Sequence, residues 1–120
     1  MIDREKLHNA LRQMGKKHLR KQYRDQWTPE RPTTGYCYVT AEVVYHYFAP
    51  TGSKPYVMKT GPNETHWFIK DADGKIIDLT ADQFDEPVDY TKGKPQNFLT
   101  KQISKRGKIL ANLLGLTEND

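Results

Sequence analysis

Apolar residues fall at helical spacing near the start of the chain. Leu7, Leu11, Met14 and His18 recur on one side with Ala10 beside them, and the pattern predicts a helix over residues 3–24. Asp3 is its expected cap, and Arg12, Lys16, Arg20 and Lys21 fall mostly on other faces. The stretch Q-W-T-P-E-R-P-T-T-G, with two prolines and a glycine, reads as a loop. A second helix is expected from Gly35 or Tyr36 to Phe48, capped by Thr33 or Thr34. Its stripe is Cys37, Ala41, Val44 and Phe48, which places the cysteine in the first turn, and Ala41 lets another element approach closely. P-Y-V-M-K, residues 55–59, reads as a strand, and residues 65–80 as a hairpin turning at A-D-G. Ser104 starts a last helix that Gly115 ends, with Ile109, Leu110, Leu113 and Leu114 turned inward.

Two hairpin registers compete. A two-residue turn at Asp73-Gly74 mixes polar and apolar side chains on both faces. A three-residue loop, Ala72-Asp73-Gly74, pairs residues whose numbers sum to 146 and puts Gly74 in the left-handed position of a bulge. One face then carries Trp67, Ile69, Ile77 and Leu79, and the other His66, Phe68, Lys70, Ile76, Asp78 and Thr80. A buried face fixes register, so the second arrangement is preferred. It makes His66 and Asp78 diagonal neighbours, with Cβ atoms about 7–8 Å apart or somewhat less.

Composition narrows the class. The 120 residues suit one domain spanning 1–120, and 36% hydrophobic with 28% charged residues is a soluble, globular balance. No apolar run nears the roughly 18 residues that span a bilayer, so no membrane is expected. The first residues are too charged for a signal peptide, which points to the cytoplasm. A single cysteine allows no internal disulfide. The net charge of +4 is concentrated in residues 16–24 and between Lys92 and Lys108. These blocks read either as solvated helix faces or as a weak contact for nucleic acid or an acidic partner. A monomer is expected.

The residues that carry chemistry are Cys37, His66 and Asp78. Only a thiolate attacks well, and a helix N-terminus or an adjacent imidazolium favours it. His66 would serve as base toward the thiol and acid toward the leaving group, with Asp78 holding its tautomer and orientation. The Cys37 backbone N–H would form half of an oxyanion hole, with Gln26 the candidate second donor. Tyr36 and Thr80 flank the set and are expected beside the substrate. Each residue also has a plain structural reading: core thiol, strand histidine, turn-capping aspartate. No C-x-x-C or H-x-x-x-H spacing supports a metal site, and no Walker-type or G-x-G-x-x-G loop is present, so no cofactor is expected.

G-Y-C-Y-V-T-A, then T-H-W-F-I, then a glycine turn and I-I-D-L-T resembles the transglutaminase-like and papain-like cysteine hydrolase superfamily over residues 35–80. More narrowly, Q-W, P-T-T-G-Y-C, T-H-W and I-D-L-T-A-D-Q-F look like the small YunG-like proteins of bacteria and phages. Trp67 follows His66 directly, without the one-residue gap of the superfamily's H-x-W, and Tyr36 stands where the YunG-like pattern has glutamine. The resemblance implies an α+β fold with a papain-like core: N-terminal helices on a small antiparallel sheet, a C-terminal helix, and the site between. It also implies acyl transfer through a thioester on a protein or peptide-like amide: hydrolysis, deamidation or transamidation. The rival expectation is an inactive module of the same fold that contacts nucleic acid or an acidic protein through its basic terminal helices.

Overall fold

A computed structural model of the chain describes residues 2–116. The fold is α+β: a central helix packs on one face of a four-stranded antiparallel sheet with the other helices beyond it, and a helix closes the described chain.

The first helix, α1, spans Arg4–Met14, with Asp3 accepting from the Lys6 N–H as its cap. It is shorter than the residue pattern predicts. Gly15 takes φ +58, a left-handed conformation suited to glycine at a helix end, and its N–H returns to the Leu11 carbonyl. A short helix, α2 (Lys21–Arg24), follows, so the expected single helix over 3–24 is two. His18 lies between them, off the buried stripe of Leu7, Ala10, Leu11 and Met14.

Helix α3 (Cys37–Tyr47) is the centre of the molecule. One side, through Tyr36, Val39 and Val43, packs with α1 and with α4 (Lys105–Leu113). Its other side, Ala41 and Val44, packs on Ile69, with Trp67, Ile77 and Leu79 around them. Phe48 lies just past the helix end, half-buried. Neither Thr33 nor Thr34 caps α3. Tyr36 holds the cap position without a side-chain bond, so the first-turn N–H groups receive none from it.

Ser104 caps α4 by accepting from the Gly107 N–H, and Gly115, at φ +76, lies past its end, both as the sequence indicates. The fully buried Glu42 of α3 accepts from the Ser104 N–H and hydroxyl. A carboxylate at a helix N-terminus is favourable, and this one ties α3 to α4.

The sheet order is β3-β2-β1-β4, from β1 (Lys54–Gly61), β2 (Glu64–Lys70), β3 (Ile76–Ile77) and β4 (Lys94–Pro95). The β2–β3 register pairs Ile69 with Ile77 and Lys70 with Ile76, the three-residue-loop register. Gly74, at φ +87, donates to the Asp71 carbonyl in that loop. The apolar face, Trp67, Ile69, Ile77 and Leu79, meets α3 as expected. The opposite face is also covered. Phe84, just past a short 3-10 segment (Ala81–Gln83), and Tyr90, which opens another (Tyr90–Lys92), pack against His66 and Phe68. Among the described residues no helix is long and apolar enough to cross a membrane.

Candidate active site

Cys37 opens α3, and the loop before it is held from several directions. Gly35 has φ +78, and a Cβ there would lie 2.8 Å from Leu19 and from Tyr23, so a side chain is excluded on both grounds. Thr33, fully buried, donates to Asp82 Oδ1 at 2.7 Å, and the Gly35 N–H reaches Gln83 Oε1 at 3.4 Å. Gln83 in turn donates to the Thr80 carbonyl at 3.0 Å. The segment after Asp78 therefore braces the turn before Cys37. The Cys37 side chain is buried at 7% exposure, with Sγ 3.6 Å from the Thr65 carbonyl. Thr65 immediately precedes His66, so the thiol is held at the start of β2 beside that residue.

His66 is fully buried, and its Nε2 lies 2.7 Å from Asp78 Oδ2. An ionised carboxylate only accepts, so Nε2 carries a proton. Nδ1, also buried, has no hydrogen-bond partner. Phe84 meets the ring edge-on at 4.9 Å between centroids, and Phe68 lies parallel to it at 6.2 Å. The imidazole's proton affinity is pushed up to about 9. Burial opposes its charge, but the hydrogen bond to Asp78, the neighbouring Cys37 sulfur and the negative charge of Asp78 outweigh that.

Asp78 lies just beyond the two residues of β3, and four contacts orient its carboxylate. Oδ2 accepts from His66 and from the Tyr90 hydroxyl, each at 2.7 Å. Oδ1 accepts from the Thr80 N–H at 3.1 Å and the Thr80 hydroxyl at 3.4 Å. Burial, then the hydrogen bond and charge of Asp78, push the Tyr90 phenol up, so it remains a donor.

The structure thus brings Cys37, His66 and Asp78 together and corrects three neighbours. Tyr36 is not beside a substrate site: it is fully buried in the helical core, and its hydroxyl donates to the Gly15 carbonyl. Burial pushes that phenol up to about 12. Thr80 is buried and holds Asp78. Gln26 is exposed after α2, and its amide donates to the Gln22 carbonyl and not toward Cys37. Tyr90, Phe84 and Gln83 have no signal in the sequence as site residues beyond the Q-F of I-D-L-T-A-D-Q-F. Among the described residues no group of three or more His, Cys, Asp and Glu side chains could hold a metal ion.

Fold and site together define a small α+β protein with a buried histidine–aspartate pair next to a cysteine at a helix start. The chain belongs to the YunG family, whose model, described as "YunG protein", matches residues 3–113. It is similar to the uncharacterized protein YunG of Bacillus subtilis (strain 168), with 35% identity over 65 residues, 54% of this chain and 52% of that protein. The chain thus matches about half the length of this curated relative. No solved structure matches it.

Proposed function

We propose that the protein is a thiol-dependent acyl-transfer enzyme of papain-like or transglutaminase-like type, acting on an amide bond. Cys37 is the nucleophile, His66 the general acid and base, and Asp78 the group that orients the ring. The observation that carries this reading is the division of labour on His66. Nε2 is committed to Asp78, while Nδ1 is buried and unpartnered on a ring whose chain neighbour, Thr65, holds the Cys37 sulfur at its carbonyl. Most buried side-chain polar atoms are paired, because an unmade hydrogen bond is costly, so an orphaned ring nitrogen calls for a functional explanation.

The chemistry follows from that arrangement. A turn of the Cys37 side chain away from the Thr65 carbonyl lets sulfur and Nδ1 share one proton. The thiolate attacks the amide carbonyl carbon, forming a C–S bond, and the carbonyl oxygen takes up negative charge. The Cys37 backbone N–H, at the uncapped start of α3, is one donor to that oxygen. His66 then gives its proton to the amide nitrogen as the C–N bond breaks, leaving a thioester and a free amine. Water or a second amine, deprotonated by His66, attacks the thioester and restores the thiol. Water gives hydrolysis or deamidation; an amine gives transamidation.

The test is alkylation by iodoacetamide at neutral pH. The folded protein should react at Cys37 faster than the unfolded chain, and His66→Ala should remove the excess. A slow thiol indifferent to His66 would return Cys37 to the core.

A second reading, a catalytically inactive binding module for nucleic acid or an acidic protein, is favoured by the exposed basic residues Arg20, Lys92 and Lys94 at one cleft. Salt-sensitive binding by Cys37→Ala at wild-type strength, with an inert wild-type thiol, would support it.

A further inference from the structure

Two clefts adjoin at Met58, Lys59 and Lys92, which line both. The first, about 620 Å³, is lined by Tyr38 and Trp67 together with four cationic side chains, Arg20, Lys59, Lys92 and Lys94. Among the described residues no acidic one lines it. It adjoins the nucleophile: Tyr38 follows Cys37 in the chain, and Thr65, whose carbonyl faces the Cys37 sulfur, forms part of its wall. The second, about 630 Å³, shares Met58, Lys59 and Lys92 with the first and continues past Phe84 to Asp85, Glu86 and Asp89. Met58 lies opposite His66 across the β1–β2 pair, and Phe84 packs on the His66 ring. The wall shared by the two clefts therefore lies beside His66, which is buried and lines neither.

The first cleft is purely cationic in its charges, while the second sets three carboxylates beside the shared Lys59 and Lys92. Among the described residues, the three lysines of the first cleft make no ion pair, and all are exposed. Arg20 lies near Arg106, whose proton affinity is lowered by burial and then by Arg20. Like charges placed together without carboxylates favour an anionic occupant. In the second cleft Asp85 is paired with Arg31 and Asp89 accepts from Thr91, while Glu86 makes no ion pair among the described residues. A uniformly negative strand suits only the first half. A peptide, which carries both signs and presents apolar side chains to Tyr38 and Trp67, suits both.

We infer that the substrate is a peptide segment read by charge across the reacting amide. An acidic side chain next to an apolar or aromatic one occupies the Arg20–Lys59–Lys94 cleft, and a basic side chain on the other side of the amide faces Glu86. This rests on the enzyme reading above and adds the substrate class to it.

The test uses two peptide chloroacetamides that differ only in having glutamate or glutamine beside a phenylalanine, with iodoacetamide as the small reagent. On the wild-type protein at low ionic strength, the glutamate probe should label Cys37 about tenfold faster than its glutamine twin, with the ratio falling at high salt. Lys59→Gln with Lys94→Gln should bring the ratio close to one. Rapid iodoacetamide labelling with no difference between the probes would overturn the inference and leave the enzyme reading standing. A thiol inert to iodoacetamide would overturn both. An oligo-dT strand that blocks both probes equally, in a salt-dependent way, would also overturn it by assigning the cleft to single-stranded nucleic acid.

Discussion

His66 Nε2 and Asp78 Oδ2 lie 2.7 Å apart in a site where the histidine is fully buried. Asp78→Asn keeps the shape but turns an obligate acceptor into an amide that can donate, so the ring can hold its proton on the wrong nitrogen. In the enzyme reading this lowers turnover by about 10⁴-fold, the scale seen for an orienting carboxylate in a comparable triad. Alkylation of Cys37 at neutral pH offers a readout before any substrate is known, and it should slow in this variant.

Tyr90 is a positioning residue, acting through Asp78. Tyr90→Phe removes the hydroxyl that donates to Asp78 Oδ2 while preserving its ring against Phe68. A hydrogen bond to a charged group contributes about 1.5–3 kcal/mol, so urea unfolding should register a loss of that order. A displaced His66 ring signal in the NMR spectrum would separate this role from simple packing.

The pH dependence has a definite sign. The unfolded His66 ring titrates near 6.5, and the folded ring near 9. Stabilisation from its proton is therefore complete below about pH 6.5 and is lost as pH rises through about 9. The gap in melting temperature between wild type and Asp78→Asn should be widest at the acid end of this window and shrink toward pH 10. An NMR titration of the ring measures the folded value directly.

Gly35→Ala tests how Cys37 is placed. The substitution imposes a left-handed backbone on a residue with a Cβ, costing about 1–2 kcal/mol. It also forces that Cβ against Leu19 and Tyr23. Destabilisation of at least about 2 kcal/mol is expected in urea unfolding, together with slower Cys37 alkylation in the fraction that remains folded.

The legible parts of the fold were those governed by local periodicity and turn chemistry. Trp67, Ile69, Ile77 and Leu79 sort onto one face only in the register that the structure adopts, and that register brings Asp78 to His66. Ser104 and Gly115 mark the ends of α4 as caps should. Tertiary contacts were not legible. Gly15 ends α1 inside an otherwise helical pattern, and its carbonyl accepts from the Tyr36 hydroxyl far along the chain. That same contact takes Tyr36 into the core and away from the site. Tyr90 reaches Asp78 from a segment of short turns with no hydrophobic period, so nothing in its neighbourhood marks it as a donor.

The central claim is that His66 activates Cys37. The most direct measurement is the rate of iodoacetamide alkylation at pH 7 in the folded wild type and in His66→Ala, with folding of both checked by circular dichroism. The account predicts fast labelling of the wild type and a drop of at least about tenfold in the variant, the scale expected when an activating base is lost. Equal, slow labelling of two folded proteins would contradict it.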